Sequence, residues 1–265
     1  MTLREMMYHG AVLKPNYTVT LEKKGRAHYY KVTGKYEDGG EFEKLLPGVT
    51  GTLHIIGGEK MDKLIGWSKK HTLKRVQEEL MKIGGPVLME PHIIEDIISK
   101  ARKESGTILD AAADYGTRLH DHCDRVINGL PTEPEDDLKN SVLAFQDWFR
   151  ESGLEMVMGD TAVASLKHGY GGKFDAVAVN KAGEYVLIDF KTSSGCREEY
   201  ALQVAAYAEA FFETYWQTIR HAIIVRFDKE TPTYEIKVVK DIPKAFEGFL
   251  AAQRLKSIVT GELYQ

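Results

Sequence analysis

Between residues 172 and 195 the chain reads GKFDAVAVNKAGEYVLIDFKTSSG, and this stretch restricts the fold more than any other. Two apolar runs flank the polar turn NKAG at 180 to 183, which predicts an antiparallel hairpin. Side chains alternate along a strand. Tyr185, Leu187, Asp189 and Lys191 therefore share one face, and Val186, Ile188 and Phe190 share the other. Asp189 and Lys191 project together at the strand's end. Asp175, near the hairpin's open end, can reach the same spot. Charged groups in a sheet are costly unless a partner, a metal or a chemical task keeps them there. One reading is a salt bridge of Lys191 with Asp189 or Asp175; the other is a site.

The rest of the chain divides into a mainly helical first half and an α/β second half. Residues 17 to 37 alternate and carry Tyr, Val and Thr, which predicts a small β element within residues 1 to 45. LPGVTGTL at 46 to 53 opens a helical region to residue 152. A helix over 61–82 carries Leu64, Trp67, Leu73, Val76 and Leu80 at helical spacing, and GGP at 84 to 86 stops it. One or two helices follow over 91–128, and another over 136–151. From residue 153, strands are expected near 156–165, 174–180, 184–191, 220–227 and 233–239. Helices over 198–215 and 243–259 complete this core.

Totals narrow the class. Apolar residues make up 43% and charged residues 28% of 265, ordinary for a globular chain. No apolar run is long enough to span a membrane, and MTLREMMYHG lacks a signal-peptide core, so a cytoplasmic location is expected. The two cysteines, Cys123 and Cys196, form no CxxC, which excludes a zinc ribbon or a four-cysteine cluster made by this chain alone. With 35 basic and 39 acidic residues the formal charge is −4, against a basic nucleic-acid coat protein but not against an enzyme whose carboxylates hold cations.

Other residues could join the hairpin's charges. Asp160 begins the preceding strand, as a third carboxylate or a solvated turn residue. Gly171 and Gly172 suit close approach of backbone or substrate, or an ordinary bulge. On the helix EEYALQVAAYAEAF, Gln203 and Tyr207 stand at i and i+4, facing the site or divided between surface and core. In AAADYGTRLHDHCDRVINGL, Gly116, His120 and Asp124 form one stripe, and His122 lies off it.

Taken together, LPGVTGTL with Trp67 downstream, GTRLH (116–120), GGKFD (171–175), IDFKTS (188–193) and QVAAY (203–207) resemble the RecB-type branch of the PD-(D/E)XK nuclease superfamily. They are especially similar to phage-type and mitochondrial genome-maintenance exonucleases. The resemblance covers about residues 47 to 210. It implies a restriction-endonuclease-like mixed central sheet flanked by helices. It implies that Asp175 and Asp189 bind divalent metal, with the Phe190 carbonyl and His120 as further ligands. Lys191 would position or activate the attacking water, and Gln203 and Tyr207 would orient the lysine and the DNA end. Phe174 stands where the family often has Pro, and Asp160, the best match to its preceding acidic residue, stands where Glu is common. The cysteines that hold an iron–sulfur cluster in several relatives are absent, so no cluster is expected, and no GxxxxGK[ST] phosphate loop is present.

Hydrolysing a phosphodiester requires charge to be neutralised on the phosphoryl oxygens and a water to be activated. Hard ligands with one histidine suit Mg²⁺ or Mn²⁺. The expected function is a metal-dependent DNA exonuclease in recombination, replication or repair, of phage type. Expected partners are single-stranded DNA or a duplex end, and a single-strand annealing or binding protein. An endonuclease of a defence or CRISPR-adaptation system, or an inactive DNA-binding module, is the alternative. Trp67, Lys69, Lys70, Lys74 and Arg75 would guide the strand end, or simply form a solvated helix face.

Overall fold

The computed structural model describes residues 17–25, 27–36, 38–56, 58–83 and 91–262. The opening MTLREMMYHG and the GGP stop fall outside them. The hairpin forms where its sequence dictates. Strands β5 (Tyr170–Val179) and β6 (Tyr185–Lys191) pair antiparallel from Ala176↔Ile188 to Val179↔Tyr185. Asn180 closes the turn, its Oδ1 accepting from the Ala182 and Glu184 amides, while Gly183 takes φ 80, which few side chains tolerate.

Around this hairpin stand β4 (Glu155–Ser165), β7 (Ile219–Phe227) and β8 (Tyr234–Val238), in the order β4-β5-β6-β7-β8. Only β6 and β7 run parallel. A parallel neighbour needs a crossover. Helix α5 (Glu198–Tyr215) supplies it. Its alanines 205, 206, 208 and 210 are buried with Val204 and Phe211, and their small size lets the helix lie close on the sheet. Helix α6 (Ile242–Ser257) adds Phe249 and Ala252 to the same core. On the other face, α4 (Lys139–Ser152) sets Phe145 and Trp148 against Phe190, with ring centroids 5.3 and 5.5 Å apart. The chain is thus α/β, a mixed central sheet with helices on both faces.

The N-terminal β element is an antiparallel sheet of β1 (Tyr17–Lys24), β2 (Ala27–Lys35) and β3 (Glu41–Pro47). Val32 and Leu46 pack with Ala164 of β4. The stretch LPGVTGTL becomes the end of β3 and a short helix, α1 (Val49–Leu53), whose Val49 and Leu53 enter the main core.

The described residues through Ile56 form one compact unit with those from Leu119 onward, and 57–118 form a second. The second unit contains α2 (Gly58–Ile83) and the first part of α3 (Pro91–Ile127). Within it, Arg75 bonds Glu104 at 2.7 Å and Glu78 at 2.8 Å, and Lys74 lies 3.9 Å from Glu78. Two of the expected basic guides are therefore matched by acids. Leu73, Met81 and Ile94 are exposed in this unit. No helix among the described residues is long and apolar enough to cross a membrane.

Candidate active site

The site begins where the hairpin stops pairing. Beyond Ala176↔Ile188 the β5–β6 ladder ends, although β6 continues beside β7 as far as Lys191↔Arg226. The Phe190 amide is left without a backbone carbonyl on the β5 side. Asp175 fills the fork: its Oδ2 accepts from Phe190 N at 2.6 Å. Asp189 and Lys191 share a face of β6, as alternation requires, with Lys191 Nζ 2.6 Å from Asp189 Oδ2. The Asp189 side chain is only 3% exposed. Its Oδ2 meets the ammonium at ion-pair distance without a hydrogen bond of good geometry.

His120 comes from the C-terminal part of α3. Its Nδ1 stands 3.2 Å from Asp175 Oδ1. The helical stripe read from the sequence is real: Asp124, one turn on, brings its Oδ1 over Gly159, 3.2 Å from where a Cβ would be. His122 faces elsewhere, bonded to Thr132 and 3.3 Å from Glu135. If the cluster holds a divalent cation, as proposed below, replacing His120 by Ala should weaken Mn²⁺ binding by about tenfold or more, whereas His122→Ala should leave it unchanged. Calorimetric titration with Mn²⁺ compares the two; equal losses would mean that the helix presents its other face.

The charges set one another. Burial raises the Asp175 carboxyl, but the neighbouring His120 and Lys191, with the Phe190 amide, outweigh it and hold Asp175 below the usual carboxylate range. Burial likewise lowers His120, and Asp175 overcomes this to raise it. Asp189 is pushed up to about 6, by burial first and against the pull of Lys191. Lys191 is lowered by burial but raised more by Asp189 and Asp175, so it stays charged. Two carboxylates, an imidazole and an ammonium thus meet in one place, Asp189 at its buried end and His120, 36% exposed, at its open end.

Gln203 and Tyr207 are both buried, on the face of α5 toward the sheet. Gln203 Nε2 donates to Tyr207 Oη at 2.9 Å and to Thr50 Oγ1 at 3.0 Å, tying α5 to α1. The aromatic ring beside the lysine belongs to Tyr200: Lys191 Nζ lies 4.9 Å from its centroid, and its hydroxyl donates to Ser193. Tyr200 and Thr50 escaped the sequence reading. The spacing could have shown Tyr200, since it precedes Gln203 by three and Tyr207 by seven on one helix face.

Gly171 and Gly172 are explained by packing. A Cβ on Gly171 would lie 2.4 Å from Tyr30, and one on Gly172 would lie 2.3 Å from the Tyr207 ring. Gly172→Ala should therefore cost about 1–3 kcal/mol by overpacking. A drop in thermal midpoint checks this; an unchanged midpoint would show that Tyr207 moves freely. Asp160 is placed apart from this cluster, as the solvated alternative read from the sequence has it. The register sets it opposite Asp175, between Gly159↔Ala176 and Thr161↔Phe174. Its backbone, however, adopts φ 39, and its side chain, 56% exposed, pairs with Lys173 at 2.5 Å.

No family model matches the chain, and a search of curated proteins finds no match. Among solved structures, the chain is similar to a crystal structure named "Putative exonuclease" from Eubacterium rectale. The identity is 13% and the TM-score 0.39, over 58% of this chain and 69% of that one. It is also similar to the protein SSO0001, at 13% identity and a TM-score of 0.36, over 78% of this chain and 89% of that one. What the site can do follows from its own side chains.

Proposed function

We propose that the chain is a divalent-metal-dependent deoxyribonuclease of the exonuclease kind, acting in DNA recombination, replication or repair, with the RecB-type PD-(D/E)XK nucleases as its family. One observation carries this reading: Asp175, Asp189, Lys191 and His120 converge in one cluster in which a buried carboxylate oxygen lacks a well-aligned donor. A salt bridge alone needs neither the second carboxylate nor the imidazole. The donor set, two carboxylates and one imidazole, suits Mg²⁺ or Mn²⁺. Asp175, Asp189 and His120 would hold the cation, with the Phe190 carbonyl as a further ligand. When bound, the cation supplies polarisation of the phosphoryl oxygen and a more acidic attacking water.

The protein's own groups do the rest. Asp175 is fixed by the Phe190 amide and is already ionised. Lys191 is charged, so it orients the attacking water and stabilises charge at the phosphate rather than acting as a base. The buried pair Gln203 and Tyr207, with Thr50 at the surface, forms a link beside the site and keeps α5 in register with it.

Ligands must shed their protons to bind metal. A raised pKa means that Asp189 holds its proton more tightly than an ordinary carboxylate. Mn²⁺ affinity should therefore rise with pH through about 6, where Asp189 ionises, and keep rising through the elevated range of His120. Calorimetry across this interval checks it; a flat profile would remove both residues from the ligand set.

The function is tested by incubating end-labelled linear and circular single-stranded DNA with Mg²⁺ or Mn²⁺, with and without Lys191→Ala. Metal-dependent loss of the linear strand alone, leaving 5′-phosphate products and absent in the variant, supports the exonuclease. Cleavage of the circle supports the endonuclease. No cleavage of any substrate, duplex ends included, overturns the enzyme reading in favour of a binding module.

A further inference from the structure

A second cluster of ligand-type side chains lies outside the site just described and shares no residue with it. His168, Glu209 and Glu213 bring one ligand atom each within 4.8 Å of one another. Glu209 and Glu213 stand one turn apart on α5, so their carboxylates project from one helix face. His168 sits in the turn between β4 and β5, where its amide donates to Ser165 Oγ at 3.0 Å and its carbonyl accepts from Gln253 Nε2 at 2.9 Å. The edge of its ring packs on Phe246, with centroids 5.2 Å apart. The His168 backbone is therefore held by β4 and α6, and its ring by Phe246 of α6.

Held in this way, His168 Nε2 is enclosed and has no hydrogen-bond partner among the described residues. A buried ring nitrogen without a partner is costly. The nearest acid, Glu209 Oε1, is 3.9 Å away, too far for a hydrogen bond. Two tetrahedral ligands bonded at about 2.1 Å lie about 3.4 Å apart, so a small side-chain rotation would bring this pair onto one ion. Glu213 is already oriented, its Oε1 accepting from Ser165 Oγ at 2.5 Å and its Oε2 from the Lys167 amide at 3.2 Å. Hydrogen bonds of this kind to a carboxylate are what a ligand needs to keep its direction. The cluster lies near the surface, with the His168 and Glu209 side chains 20% and 29% exposed, so a cation can reach it.

We infer that His168, Glu209 and Glu213 form a second divalent-cation site, fastening the β4–β5 turn to α5. With one imidazole, two carboxylates and no backbone carbonyl beside them, this set leans further toward Zn²⁺ or Mn²⁺ than the first site, where the Phe190 carbonyl adds an oxygen ligand that suits Mg²⁺ as well. The role is structural: the cation joins the turn to the crossover helix and supplies the partner that His168 lacks.

The test uses the full chain carrying Asp175→Asn and Asp189→Asn, which silences the first site. Zn²⁺ binding is read by calorimetry, and Co²⁺ substitution by its visible absorption. The expected result is about one Zn²⁺ per chain, weakened by at least about tenfold when Glu209→Gln or Glu213→Gln is added, with far-ultraviolet circular dichroism unchanged. No binding in that background, or binding that survives both Gln changes, overturns the site. If the double Asn chain fails to fold, the native chain serves instead. Its stoichiometry should then fall by one cation with the two Gln changes, and an unchanged stoichiometry overturns the inference.

Discussion

Lys191→Ala should lower DNA cleavage by about 10² to 10³-fold, the scale of removing one preorganised electrostatic donor from a developing charge. The lysine is held between Asp189, at 2.6 Å, and the Tyr200 ring, so its direction is fixed before substrate arrives. Removal also leaves Asp189 buried without its counter-charge. Such a group costs about 1–3 kcal/mol, at the lower end here because Asp189 already titrates near 6 and can take up a proton. The metal-free variant should thus unfold at lower urea, and Mn²⁺ should restore much of the loss by replacing the missing cation. Single-turnover cleavage and urea titration with and without Mn²⁺ measure both effects. A variant that unfolds more easily yet cleaves at the native rate per folded molecule would reduce the pair to a structural salt bridge.

Phe190→Ala should have the largest effect on stability, about 3–5 kcal/mol for truncating a buried aromatic residue. Phe190 is 2% exposed and stands at the centre of the aromatic layer under α4, touching Phe145, Trp148 and Phe227. Its ring also meets His120 edge-on at 6.2 Å. The substitution keeps the amide that Asp175 accepts from, so activity per folded molecule should fall far less than in Lys191→Ala. Urea unfolding should show a lower midpoint at an unchanged slope. A loss under about 1 kcal/mol would show that the far face is held elsewhere.

Much of the core was legible because its signals are local. The polar turn at 180–183, the alternation that joins Asp189 to Lys191, and the alanine-rich helix after them each specify an element within a few residues. Helical spacing separated His120 from His122, but only the resemblance of GTRLH to the nuclease motif pointed His120 toward the hairpin. What escaped depends on backbone detail or on distant partners. Asp160 occupies the right register, yet a left-handed backbone turns it toward Lys173. Gly171 and Gly172 suggested room for substrate, and that room is filled by Tyr30 and Tyr207. Thr50 could not be foreseen, because nothing near it in sequence announces Gln203 as its partner.

The same long-range ties govern the order in which this molecule can be assembled. Gln203 reaches back across 153 residues to Thr50, and Lys256 across 205 residues to the Gly51 carbonyl, at 2.7 Å. A ribosome adding about 5–20 residues per second delivers Lys256 roughly 10–40 s after Gly51. Early in that interval the β1–β3 sheet lacks Ala164, which packs on Val32 and Leu46, and for longer it lacks Thr214, which bonds Tyr17. Closure over such separations slows folding, so the first-made part of the larger unit is among the last to be secured. Nascent chains halted before residue 200 should therefore be the form that most needs a chaperone.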